Sequence, residues 1–192
     1  KVYDAKREEN NPYIQRIKEA DPELYALMVQ NGRRNIACLT IAPTGTTSIM
    51  TQTTSGIEPV FQPVYRRRRK VNPNDKNVHV DLVDEVGDSF EEYVVFHHKF
   101  ITWMNANGYA YDPAHRYTTA EIDELVQKSP YYKATANDVN WLEKVHMQGA
   151  IQKWVDHSIS VTINLPNDVS EELVGQLYEE AWRCGCKGCT VY

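Results

Sequence analysis

The sequence predicts an α/β fold rich in helix, and three observations carry that prediction. First, Ser158–Asn164 alternates cleanly: Ile159, Val161 and Ile163 fall on one face, Ser158, Ser160, Thr162 and Asn164 on the other. That is the pattern of a strand with one apolar and one polar face. Second, Pro166 ends this run, and Ser170 and Glu172 open a helical pattern with Leu173, Val174, Leu177, Tyr178, Ala181 and Trp182 on one side. Third, Gly185 and Gly188 mark a turn into a final strand-like run, Cys189–Tyr192. Strand, helix and strand at this spacing form a crossover unit, so parallel pairing is expected.

The remaining elements follow along the chain. Residues 11–31 read as helical, with Leu24, Leu27 and Met28 at helical spacing and Asn31-Gly32 as a stop. Asn35–Ile41 is short and β-rich and reads as a buried strand. Pro43 and Gly45 break it, and the hydroxyl cluster Thr44, Thr46, Thr47 and Ser48 suits a helix N-terminus. Residues 62–78 read as extended and then loop, through Asn72-Pro73-Asn74-Asp75. Tyr93, Phe96, His97, Phe100, Ile101 and Met104 recur at helical spacing and predict a helix closed by Asn107-Gly108. Thr118 or Thr119 caps a short helix through Val126. Asn137 to about Val155 reads as another helix, with Met147, Ala150, Ile151 and Trp154 on its apolar face.

Composition narrows the function. Of 192 residues, 24% are charged and 42% hydrophobic, which is ordinary for a globular chain. Twenty-one Lys and Arg against 26 Asp and Glu leave a net charge of −5, which argues against nucleic acid or an anionic membrane as the main partner. No apolar run reaches the ~18 residues of a spanning helix. The opening residues, Lys1 to Glu9, are charged and lack the apolar core of a signal peptide. Four cysteines, Cys38 and the cluster Cys184, Cys186 and Cys189, are too few for a disulfide scaffold, so free thiols in a reducing cytoplasm are expected. The start without Met and the stop at Val191-Tyr192 suggest an excised piece of a longer protein.

Pro43-Thr44-Gly45-Thr46-Thr47-Ser48 is the best candidate site. A strand feeding a Gly-containing turn that opens a helix presents backbone N–H groups and a positive dipole end to an anion. The hydroxyls add donors, and Gly45 lets a ligand approach the backbone, so phosphate or diphosphate is the natural ligand. The turn lacks the Gly-Lys-Ser/Thr ending of a Walker loop. An ordinary capped helix is the competing reading of the local pattern. The Cys184–Cys189 cluster reads as strand-edge core rather than a metal half-site, and no metal ligand set is expected. His97, His98 and His146 lack partners at metal spacing. Arg66–Lys70 reads as a basic strand or loop paired with the chain's own carboxylates.

Four motifs in order resemble the large catalytic subunit of ribonucleotide reductase. They are Ile41–Ser48, Thr54–Phe61, Asp156–Pro166 and Gly185–Tyr192. The resemblance spans roughly residues 33–192 and implies that residues 1–192 are a C-terminal fragment of the family's ten-stranded α/β barrel. The largely helical region 66–155 would then be an insertion between barrel strands. In the family the matching turn holds the substrate's diphosphate, which assigns that role to Pro43, Thr44, Gly45, Thr46, Thr47 and Ser48. The iron-dependent members carry adjacent tyrosines in the last motif. Here those positions are Thr190 and Val191, with Tyr192 alone, and the wording is similar to the adenosylcobalamin-dependent class. That implies adenosylcobalamin as cofactor of the parent, whose organic radical chemistry belongs to the cofactor.

The family's reaction removes the ribose 2′-hydroxyl by a thiyl-radical route. Its catalytic cysteine, Glu and Asn lie upstream of the turn. Cys38 lacks an Asn-x-Cys-x-Glu context, so no catalytic residue is assigned in this piece, which is expected to be inactive alone. The resemblance implies a ribonucleoside di- or triphosphate substrate, a thioredoxin-like or dithiol reductant and the remainder of the parent chain as partners, and it allows a homodimer. An iron-dependent two-subunit reductase, a non-catalytic nucleotide-binding module and a thiol metal-binding module are the alternatives.

Overall fold

The computed structural model of the protein describes residues 4–72, 74–75 and 77–192; Pro73, read above as loop, lies outside them. In chain order the elements are α1 (Ala5–Glu8), α2 (Pro12–Ala20), α3 (Pro22–Asn31), α4 (Gly45–Thr51), β1 (Val64–Lys70), β2 (Leu82–Val83) and β3 (Ser89–Phe96). They continue with α5 (His98–Ala106), α6 (Thr119–Lys128), α7 (Trp141–Gln152), β4 (Thr162–Ile163), α8 (Glu171–Arg183) and β5 (Thr190–Val191). The chain is thus a mixed α/β fragment. It divides into two compact units.

The first unit comprises the residues up to Gly45, Ser55–Glu58 and Val139–Tyr192. The helix expected over 11–31 is two helices, because Asp21-Pro22 breaks it. Asp21 accepts from the Leu24 N–H at 2.9 Å and Pro22 takes the first helical position, where a missing N–H is harmless. The crossover forms as expected. β4 and β5 pair in parallel, with Thr162 opposite Thr190 and Ile163 opposite Val191. Ile159, Val161 and Ile163 are all buried, as the alternation requires. Ser170 caps α8, whose Leu177 and Ala181 pack with Val145 and Ile163 into the core. Tyr178 and Trp182, expected on the same face, are exposed.

Two expectations in this unit need correction. Residues 35–41 are not a strand; only Ile41 forms a bridge, parallel to Ile159. The Asp156 carboxylate instead takes the Cys38 and Leu39 N–H groups at 2.9 and 2.7 Å, so a side chain replaces the neighbouring strand. Helix α7 buries a different face from the apolar one. Val145, Gln148, Gly149 and Gln152 are inside, while Met147 and Trp154 are 40% and 64% exposed. The Gln148 amide donates to the Gly188 carbonyl at 2.6 Å, and the Gln152 amide donates to the Val155 and His157 carbonyls, each at 2.8 Å. The two glutamine amides are themselves buried and need acceptors, and that need outweighs apolar patterning here.

The second unit comprises Thr46–Thr54 and Pro59–Asp138. Its sheet is antiparallel with order β1-β3-β2. The expected helix over 93–104 is therefore a strand through Phe96 and a helix from His98. The β-branched Val94-Val95 suits a ladder, and β1 pairs it in register from Val64–Phe96 to Lys70–Phe90. The region 66–155 is consequently less helical than the sequence suggests. The basic run is β1, and it meets acidic partners as expected: Arg68–Glu92 at 2.6 Å, Arg69–Glu91 at 2.8 Å and Lys70–Asp88 at 2.5 Å. Val64, Phe96, Phe100 and Met104 form the core, edged by Tyr111 and Tyr117 against Phe96. Thr118 caps α6 in a reciprocal box with Glu121. No helix among the described residues is long and apolar enough to cross a membrane.

Candidate functional site

The turn 43–48 forms where the residues place it. The chain leaves the Ile41 bridge, passes Ala42 and Pro43, and enters the seven-residue helix α4 at Gly45. Thr44 holds φ at 52°, a left-handed value that a β-branched residue avoids unless something fixes it. What fixes it is its own hydroxyl, which accepts the Gly56 N–H at 2.9 Å. That bond ties the turn to the Ser55–Glu58 loop. The loop is tied in turn to β4: the Glu58 carboxylate accepts the Thr162 N–H at 2.6 Å. Further along, the Ser160 N–H donates to the Ile41 carbonyl at 2.8 Å and the Thr40 hydroxyl donates to the Ser158 carbonyl at 2.8 Å. Three of the four sequence motifs thus meet around one turn.

Of the six residues, Pro43, Thr44, Gly45, Thr46 and Thr47 are exposed and Ser48 is buried. Space around Gly45 is open, with nothing within 4 Å of where a Cβ would stand. Near the same strand, Lys144 is only 3% exposed. Burial lowers its pKa below the usual lysine range, and the Glu58 carboxylate opposes that shift. For Asp156, burial raises the pKa, but the Leu39 and Cys38 N–H groups together with the Lys187 charge outweigh it and leave the carboxyl below its ordinary value.

The cysteines behave as core residues. Cys184, Cys186 and Cys189 pack against Val145, Ile163, Leu177 and Ala181. Burial, reinforced by the neighbouring Cys184 and Cys189, pushes the Cys186 thiol up to about 11, and it remains a thiol at neutral pH. His97 caps α5, its Nδ1 accepting the Lys99 N–H at 3.2 Å. His146 does find a carboxylate: its Nε2 lies 3.1 Å from Glu180 Oε1. The two residues are 34 positions apart on different helices, so no local spacing announces the pair.

Comparison with known proteins places these features in context. The family model for the ribonucleotide reductase barrel domain matches residues 3–192. The chain is 30% identical over 159 residues to a vitamin B12-dependent ribonucleoside-diphosphate reductase of Thermoplasma acidophilum, covering 83% of this chain and 19% of that protein. It is 28% identical over 173 residues to a protein of the same name from Mycobacterium tuberculosis, covering 83% of this chain and 21% of that one. The chain therefore spans about a fifth of the length of these relatives. In fold it resembles the alpha subunit of the Actinobacillus ureae class Id ribonucleotide reductase, with a TM-score of 0.55 at 18% identity, covering 93% of this chain and 30% of that one.

Proposed function

Because this chain belongs to the ribonucleotide reductase barrel-domain family, we propose that the complete protein is an adenosylcobalamin-dependent ribonucleoside-diphosphate reductase, and that residues 43–48 hold its substrate's diphosphate. The reaction is reduction of a ribonucleotide to a 2′-deoxyribonucleotide, by a thiyl radical on a cysteine outside this chain, with a dithiol or thioredoxin-like reductant. The chain contributes part of a ten-stranded barrel through β4, β5 and the Ile41–Ile159 bridge, and 66–155 is an insertion between barrel strands. By itself the piece is inactive.

One observation carries the site assignment. Thr44, held left-handed with its hydroxyl accepting the Gly56 N–H, stands next to the open flank of Gly45. An open, Gly-containing turn at a helix start suits a diphosphate. Two facts support the cofactor class. The Thermoplasma acidophilum and Mycobacterium tuberculosis relatives are named vitamin B12-dependent, and β5 carries Thr190-Val191 at the positions where the family resemblance puts the tyrosine pair of iron-dependent members. Three cavities among the described residues are each smaller than a corrin needs. The cavities at Arg66–Thr118, Tyr13–Cys38 and Thr53–Ala134 measure about 420, 370 and 380 Å³, the size of a small ligand. No step is therefore assigned to this chain through the cofactor; its part is to bind and orient the nucleotide.

The test of the turn is Gly45→Ala in the complete enzyme. The new methyl meets open space, so folding is unaffected. It projects where the phosphate would approach, so KM for the nucleotide rises roughly tenfold with kcat little changed. An unchanged KM overturns the assignment.

A further inference from the structure

The α7–α8 contact places three metal-ligating side chains of different chemistry together. His146 Nε2, Glu180 Oε1 and Cys184 Sγ all lie within 4.8 Å of one another. The His146–Glu180 separation is 3.1 Å and the Cys184–Glu180 separation 3.6 Å. In a tetrahedral zinc site with ordinary Zn–N, Zn–O and Zn–S bonds, donor atoms stand about 3.3–3.7 Å apart. The two edges are thus close to those of an assembled site, and a small rotation of the exposed imidazole completes it.

The backbone holds the three groups there. Cys184 caps the end of α8 in helical conformation, one turn beyond Glu180, so both side chains leave the same face. His146 and Gly149 are likewise on one face of α7. Gly149 is where the two helices touch: a Cβ there would stand 2.6 Å from the Cys184 Cβ and 3.0 Å from the Cys184 carbonyl oxygen. Only a glycine lets Cys184 come that close to α7, and this contact fixes the position of its sulfur. Glu180 is held from behind: its second oxygen, Oε2, accepts from Arg183 at 3.4 Å and leaves Oε1 facing His146 and Cys184. An outer partner of this kind orients a ligating carboxylate.

We propose that His146, Glu180 and Cys184 bind a zinc ion, which staples α7 to α8. One imidazole, one carboxylate and one thiolate form a borderline-soft set that suits zinc and excludes magnesium and calcium. Three protein ligands leave a fourth position. With the His146 side chain 47% exposed, that position faces water. On binding, the Cys184 thiol releases its proton to solvent and the sulfur takes the metal. The site is separate from the 43–48 turn and independent of the reductase reading.

The experiment uses the complete protein, stripped with a chelator and then given zinc alone. Metal is measured by elemental analysis after gel filtration and by competition with a chromophoric chelator. Wild type is expected to retain about one more zinc per chain than His146→Ala or Cys184→Ser. Cobalt in place of zinc is expected to give a thiolate charge-transfer band that Cys184→Ser abolishes. Zinc is expected to raise the Tm of wild type and to leave that of His146→Ala, a surface change that does not disturb the core, where it was. Equal zinc content in wild type and both variants, or a cobalt spectrum without a thiolate band, overturns the proposal and leaves the three groups a hydrogen-bonded cluster.

Discussion

Replacing Glu58 with alanine is expected to cost the fold about 3 kcal/mol. Glu58 does two things. It accepts the Thr162 N–H at the start of β4, and its charge opposes the burial of Lys144. Alanine removes both, leaving a strand N–H without its acceptor and a lysine ammonium, 3% exposed, without that carboxylate. Glutamine separates the two roles, because its amide oxygen still accepts from Thr162 while the charge is gone. Glu58→Gln is therefore expected to be destabilised by about half as much, on the scale of one charge-assisted bond. Urea midpoints of the three proteins measure this. Equal stability of wild type and Glu58→Ala would contradict it.

The same pair has a pH signature. Lys144 has its pKa lowered on folding, so the unfolded chain binds that proton more tightly than the folded one. Below the folded pKa the full cost of burying the ammonium is present. Stability contributed by this group then rises with pH, up to the ordinary lysine value of 10.5. Removing the Glu58 charge lowers the folded pKa further. In Glu58→Gln the rise is expected to begin at a lower pH than in wild type. Parallel stability-versus-pH curves would show that Glu58 does not act on Lys144.

Gly149→Ala is the second large effect, and its sign is decided by comparing two magnitudes. Alanine favours a helix over glycine by about 1 kcal/mol. Against this, the new Cβ would stand 2.6 Å from the Cys184 Cβ and 3.0 Å from a backbone oxygen, which has no rotamer by which to escape. Overpacking of this kind costs about 1–3 kcal/mol, and a clash with backbone falls at the upper end. The net expectation is a loss of about 2 kcal/mol, seen as a lower urea midpoint. Gly175 in α8 is the internal control. It is helical and exposed, with nothing within 4 Å of a Cβ, so Gly175→Ala is expected to stabilise by up to about 1 kcal/mol. If both substitutions stabilise, the α7–α8 contact is looser than described.

Some of this molecule was readable from residues alone, for physical reasons. The Ile159, Val161 and Ile163 alternation was decisive because a strand with one buried face admits no other register. The threonine cap of α6 and the β4–α8–β5 crossover were equally local. Elsewhere local signals competed with needs that only the fold creates. The periodicity from Tyr93 to Met104 spans a strand and a helix, because Arg68 and Arg69 on β1 draw Glu92 and Glu91 into a ladder. The apolar stripe Met147–Trp154 lost to Gln148, whose amide serves a carbonyl 40 residues along the chain, and to Gln152, whose amide serves the carbonyls of the turn that follows α7. Asn35–Ile41 lost its ladder to Asp156, about 118 residues away. At the candidate site the turn itself was legible, since proline, glycine and hydroxyls lie within six residues. The Thr44–Gly56 bond and the His146–Glu180–Cys184 cluster were not, because each joins residues that only the folded chain makes neighbours.

The most direct measurement is turnover by the complete protein, purified without any second subunit. Reduction of a cytidine diphosphate is followed with a dithiol reductant, with and without adenosylcobalamin. Product only when the cofactor is present is the predicted result. No product until an iron-containing second subunit is added would contradict it, and would assign the Thr190-Val191 end of this chain to the two-subunit class.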